Sequence, residues 1–118
     1  RGTKTPKGRD WRRSVYRKIG QITVADQAAG ARELIKRPYV DPSRIAVWGW
    51  SGGGSMTLNL MFQHPEIYST GMSVAPVPDM SLYDTIYQER YMGLPADNAA
   101  DYKAGSPITH AAKLKGTC

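Results

Sequence analysis

Ser51 stands in Gly49-Trp50-Ser51-Gly52-Gly53, a G-x-S-x-G pattern. Such a serine can attack a carbonyl carbon when its hydroxyl is lifted clear of the backbone and a base takes its proton. The pattern becomes a nucleophile elbow only where a strand precedes it and a helix follows. Gly49 and Gly53, two residues before and two after Ser51, meet the need for close backbone approach without a Cβ clash. In that setting the Gly52 N–H, near the positive end of the following helix, can face a developing oxyanion. A base is harder to find. His64 precedes Pro65 and suits a helix C-terminus, where an imidazolium interacts favourably with the dipole. The order Ser51, then Asp84 or Asp97, then His110 can be written as a triad. But Ile108-Thr109-His110-Ala111-Ala112 reads as a short helix or turn rather than a loop after a strand, and triads are set by geometry, not order.

The elements needed to hold Ser51 are legible around it. Ile45-Ala46-Val47-Trp48 is an apolar strand pattern, a helix spans Ser55 to about Gln63, and Pro65 stops it. Upstream, Val24, Ala28, Ala31 and Ile35 form one apolar stripe on a helix from about Val24 to Lys36. Asp26 sits near its start, Arg37-Pro38 ends it, and Asp41-Pro42 turns into the strand. Residues 1–20 read as a Gly/Lys/Arg-rich loop with a helical turn near Trp11 to Arg17. A second strand, Gly71 to Ala75, is expected beside the first. Met80 to Tyr91 reads as a helix with Tyr83 and Tyr87 on one face, an aromatic stripe that spacing alone assigns to a core. This alternation predicts an α/β fold, a partial α/β-hydrolase: central parallel strands, the elbow and flanking helices. Only one convincing strand follows Ser51, too little sheet for two further catalytic loops.

Composition narrows the function classes. The chain has 41% hydrophobic and 22% charged residues, with no apolar run of membrane-span length. Its single cysteine, Cys118, defines neither a disulfide framework nor a metal site, and no cofactor is called for. The net charge of +6 is uneven: residues 1–18 hold eight Lys or Arg against one acid, and the remainder eight against nine. A basic arm with Trp11 and Tyr16 could suggest nucleic-acid binding, but no nucleic-acid motif accompanies it, so it reads as a solvated loop. Arg1-Gly2-Thr3 opens the chain without methionine, so the absence of a targeting segment carries no information on compartment.

Several stretches are more specific than the elbow. Val47-Trp48-Gly49-Trp50-Ser51-Gly52-Gly53-Gly54 resembles the active-site segment of the prolyl oligopeptidase family, in its dipeptidyl peptidase IV branch. Ala75-Pro76-Val77 and the run from Leu82 to Pro95, including Tyr83-Asp84-Thr85-Ile86-Tyr87-Gln88-Glu89-Arg90-Tyr91, resemble that branch's tyrosine-rich segment. Arg1-Gly2-Thr3 resembles the tail of its Gly-Arg-Gly-Thr loop, and Gln63-His64-Pro65-Glu66 is similar to bacterial members.

The resemblance implies a serine peptidase that removes dipeptides after proline or alanine from the N-termini of peptides, through an acyl-enzyme. Ser51 takes the nucleophile's place and Gly52 offers one oxyanion N–H, while Val77, Tyr83 and Tyr87 line the pocket for the residue before the scissile bond. Two departures thin that wall: Met80 stands where many relatives have tryptophan, and Gly52 where many have tyrosine. By the same resemblance residues 1–118 form an incomplete catalytic domain. The acid and histidine are expected beyond Cys118, the second oxyanion donor before Arg1, and a β-propeller with amine-binding glutamates elsewhere. It further suggests a periplasmic or extracytoplasmic setting, leaves room for a homodimer, and calls for neither nucleic acid nor metal. The alternatives are another α/β-hydrolase, such as an acylaminoacyl peptidase or esterase, and a non-catalytic relative serving as an interaction domain.

Overall fold

The computed structural model describes residues 7–118; the Arg1-Gly2-Thr3 match therefore lies outside the described residues. Helices α1 (Arg9–Arg13) and α2 (Ile22–Ile35) lead into strand β1 (Ala46–Trp50), helix α3 (Gly52–Gln63) and strand β2 (Thr70–Val74). A 3-10 turn (Met80–Leu82), helix α4 (Thr85–Met92), helix α5 (Ala99–Gly105) and a longer 3-10 stretch (Pro107–Lys113) complete the chain.

β1 and β2 are parallel, in the register Ala46 to Thr70, Trp48 to Met72 and Trp50 to Val74. A parallel pair needs a crossover, and α3 is that crossover. At the far side of β2, Thr117 forms a parallel bridge with Thr70. The Gly71 N–H donates to Thr117 C=O (2.8 Å) and the Thr117 N–H to Ser69 C=O (3.1 Å). The chain's last residues thus run into the sheet next to β2.

One face of the sheet is packed and the other is bare. The expected stripe on α2 is present: Val24 and Ala28 are buried and Ala31 and Ile35 half-buried, against Leu60, Met61 and Phe62 of α3 and Val47 of β1. Alternation along β1 turns Trp48 and Trp50 outward, where they are 71% and 67% exposed beside Met72. Parallel sheets are ordinarily covered on both faces, so these tryptophans mark a face without cover among the described residues.

Three expected elements differ in detail. α3 begins at Gly52 rather than Ser55, because the chain leaves the elbow directly into helical geometry despite three glycines of poor helix propensity. The expected turn near Trp11 is α1, closing at Arg13. The expected Met80–Tyr91 helix is broken: Tyr83 and Asp84 are extended, and the Asp84 carboxylate caps α4 by accepting the Tyr87 N–H at 2.7 Å. Met80 turns inward and packs with Met92 and Tyr102 in a second, smaller core.

Candidate active site

The turn between β1 and α3 is strained. Ser51 has φ 53° and ψ −114°, a region that non-glycine residues rarely occupy. Its N–H donates to Val74 C=O of β2 (2.8 Å) and its C=O accepts the Ser55 N–H (3.0 Å), so both strand and helix hold it there. A serine just before a helix normally turns its hydroxyl onto the first helical N–H groups. Ser51 makes no such cap bond, and the residue is exposed. Its Oγ is left available at the strand's carboxyl end. Gly52 is the first residue of α3, so its N–H is one of the donors that a helix leaves without an intrahelical acceptor. A hydroxyl and an N–H at the positive end of a helix can together serve as a nucleophile and one oxyanion donor.

A concavity of about 430 Å³ opens beside Ser51. It is lined by Trp50 and Ser51, by the Ala75-Pro76-Val77-Pro78-Asp79 loop, and by Leu82 and Tyr83. The loop leaves β2 through Ala75, whose φ of 45° is again a left-handed value on a non-glycine residue. Ser51, Val77 and Tyr83 therefore line the same concavity. Tyr87 stands behind: its ring meets Tyr83 edge-on, 5.7 Å between centroids, and Tyr91 at 5.0 Å, but it does not line the concavity. Burial, then the neighbouring Tyr91 and Tyr83, raise the Tyr87 phenol above its ordinary value, so at neutral pH it is uncharged and no base. The stripe is not core, since Tyr83 and Tyr87 are 42% and 48% exposed. Met80, by contrast, is buried and lies outside the lining.

No histidine lines the concavity. His64 caps the C-terminus of α3, about 18 Å from Ser51 by the helical rise over its 12 residues. There it lies 3.4 Å from both Arg32 and Glu66. His110 sits in the 3-10 stretch with its Nε2 2.9 Å from Ala104 C=O. Asp84 is a helix cap and Asp97 closes a turn by donating its N–H to Leu94 C=O. The Ser51–Asp–His110 order therefore corresponds to no assembled triad.

Sequence reasoning missed Trp50, Ala75, Pro76, Pro78, Asp79 and Leu82 as lining residues. Leu82 precedes the tyrosine stripe and carried no periodic signal. Asp79 is fixed by Ser81, whose N–H and Oγ donate to its Oδ1 at 2.9 and 2.7 Å. An Asp-x-Ser turn of this kind was readable in advance.

The profile of the prolyl oligopeptidase family matches residues 1–118. The chain belongs to that family. It is 48% identical over 100 residues to "Probable dipeptidyl-aminopeptidase B" of Metarhizium robertsii, covering 84% of this chain and 11% of that protein. Over 100 residues it is also 42% identical to "Probable dipeptidyl peptidase 4" of Neosartorya fischeri, covering 85% of this chain and 13% of the relative. The crystal structure of Porphyromonas gingivalis dipeptidyl peptidase 4 superposes with a TM-score of 0.90 at 40% identity, over 93% of this chain and 16% of that one. The α/β fold is thus that of these peptidases. The chain spans little more than a tenth of the curated relatives it matches. No helix among the described residues is long and apolar enough to cross a membrane.

Proposed function

We propose that this chain is the nucleophile-bearing part of a serine dipeptidyl peptidase that cleaves after proline or alanine at the second position of a peptide. The observation that carries the reading is Ser51, held at φ 53° before a helix with its hydroxyl off the cap and beside an apolar groove. In the reaction, Ser51 Oγ attacks the carbonyl carbon of the residue before the scissile bond and gives its proton to a general base. The tetrahedral oxyanion takes the Gly52 N–H as one donor. Collapse breaks the C–N bond, the protonated amine leaves with the rest of the peptide, and water hydrolyses the Ser51 ester. A proline ring before the scissile bond buries apolar area against Val77 and the Tyr83 face and brings no N–H to satisfy, which suits this wall.

The base, its acid and the second oxyanion donor belong, on this reading, to other parts of the complete protein, with residues 1–118 an incomplete catalytic domain. The parallel entry of Thr117 beside β2 supports a sheet that continues there.

The test uses the full-length gene product with three substrates: Gly-Pro-p-nitroanilide, its N-acetylated form and p-nitrophenyl acetate. The proposal expects turnover of the first alone at high kcat/KM. Preference for the acetylated peptide makes the protein an acylaminoacyl peptidase, preference for the ester makes it an esterase, and no turnover of any makes it a non-catalytic relative.

A further inference from the structure

The wall of the groove is tied to the nucleophile by one side chain. Ser55 lies one turn into α3, and its N–H donates to Ser51 C=O at 3.0 Å. Its Oγ accepts the Val77 N–H at 2.8 Å and donates to Val77 C=O at 3.0 Å. The approach of the same Oγ to Ser51 C=O, at 3.4 Å, is too long to compete for the single proton. Val77 stands between Pro76 and Pro78, neither of which has an N–H, so its amide is the sole backbone donor of that run. Ser55 takes that donor. Downstream the loop is pinned separately, by the Ile108 N–H on Pro78 C=O (3.0 Å) and the Met80 N–H on Ser106 Oγ (2.9 Å). On the Ser51 side, after the left-handed turn at Ala75, the Ser55 hydroxyl is what sets how far Val77 stands from the elbow.

We propose that Ser55 is a positioning residue for specificity: through Val77 it fixes the wall that receives the residue before the scissile bond at a set distance from Ser51 Oγ. This rests on the peptidase reading above. Proline, which fills the wall, depends on that distance more than alanine does, so Ser55 governs the ratio between them. Loss of the hydroxyl also leaves the partly buried Val77 N–H and C=O without their partner, which favours a shifted loop.

The experiment compares the full-length protein with Ser55→Ala and Ser55→Thr on Gly-Pro- and Gly-Ala-p-nitroanilide. Rates are expressed per site titrated with a serine-reactive phosphonate, so unfolded protein does not count. Ser55→Ala should lower kcat/KM for the proline substrate about 10- to 100-fold, the scale of a misplacement near 1 Å. It should lower the alanine substrate less, shrinking the Pro/Ala ratio, and Ser55→Thr, which keeps the hydroxyl, should restore that ratio. An unchanged ratio per titrated site in Ser55→Ala, or a fall that Ser55→Thr does not reverse, overturns the inference while leaving the peptidase reading intact. Failure of the unaltered protein to cleave Gly-Pro-p-nitroanilide overturns both.

Discussion

Gly49 of β1 and Gly53 of α3 are pressed backbone to backbone: a Cβ on Gly49 would stand 2.8 Å from the Gly53 Cα and closer still to the Gly53 carbonyl. That contact is what lets the strand fold back into the helix within four residues and leaves Ser51 at the apex. It is also one-sided, since a Cβ on Gly53 meets nothing within 4 Å. Of the two motif glycines, only the first is required for its own missing side chain.

The asymmetry is measurable by thermal melting of the full-length protein. Gly49→Ala should destabilise the elbow-bearing domain by about 1–3 kcal/mol, at the upper end because backbone must move. Gly54→Ala should behave likewise, its Cβ falling 2.7 Å from Val74 C=O. Gly53→Ala should be neutral or stabilise by up to about 1 kcal/mol, as alanine replaces glycine in a helix. Equal losses at Gly49 and Gly53 would contradict the packing described.

The tyrosine pair makes a second contrast. Tyr83 lines the groove and is 42% exposed, so Tyr83→Ala should change melting little. It should lower kcat/KM for a proline substrate roughly 10- to 200-fold, the worth of an apolar wall contact. Tyr87→Ala, which reaches the groove only through the Tyr83 ring, should cost several-fold less. A larger effect at Tyr87 than at Tyr83 would relocate the wall.

Space at Gly52 gives a third. A Cβ there meets nothing within 4 Å, so Gly52→Tyr should fold normally. An added aromatic ring beside Ser51 should tighten the wall and raise the ratio of kcat/KM for Gly-Pro over Gly-Ala substrates. A lowered ratio at unchanged stability would mean that the ring points away from the groove.

The Tyr87 phenol sets a pH expectation. Its folded pKa is raised, so folding favours the protonated form. The contribution is fully present below the ordinary phenol value of about 10 and is lost as pH rises through the folded value. Tyr87→Phe should therefore leave the pH–kcat/KM profile unchanged from about pH 6 to 10. A displaced basic limb in that variant would assign Tyr87 a titrating role.

Much of this site was legible because its signals are local. The elbow, the α2 stripe and the β1–β2 pairing follow from periodicity and a five-residue motif. Gly54 was not, since it lies outside G-x-S-x-G and its constraint comes from β2, far along the chain. The Met80–Tyr91 segment misled for a related reason: tyrosine spacing suited a continuous helix, but the Asp84 cap restarts it. Ser55 looked like an ordinary helix-opening residue, and only the fold brings Val77, 22 positions later, onto its hydroxyl. Nor did α5 announce itself, seven residues long and without an apolar stripe, although Tyr102 within it is buried and donates to Gly93 C=O at 2.7 Å.

The central claim is that Ser51 Oγ is the group that attacks the substrate. Full-length protein is treated with a biotinylated fluorophosphonate, digested, and the modified peptide located by mass spectrometry, with Gly-Pro-p-nitroanilide cleavage followed in parallel. The account predicts one adduct on Ser51, formed in step with loss of activity. It further predicts that Ser51→Ala is folded, unlabelled and at least about 10⁴-fold slower. An adduct on any other serine, or a Ser51→Ala protein that still turns over substrate, would contradict it.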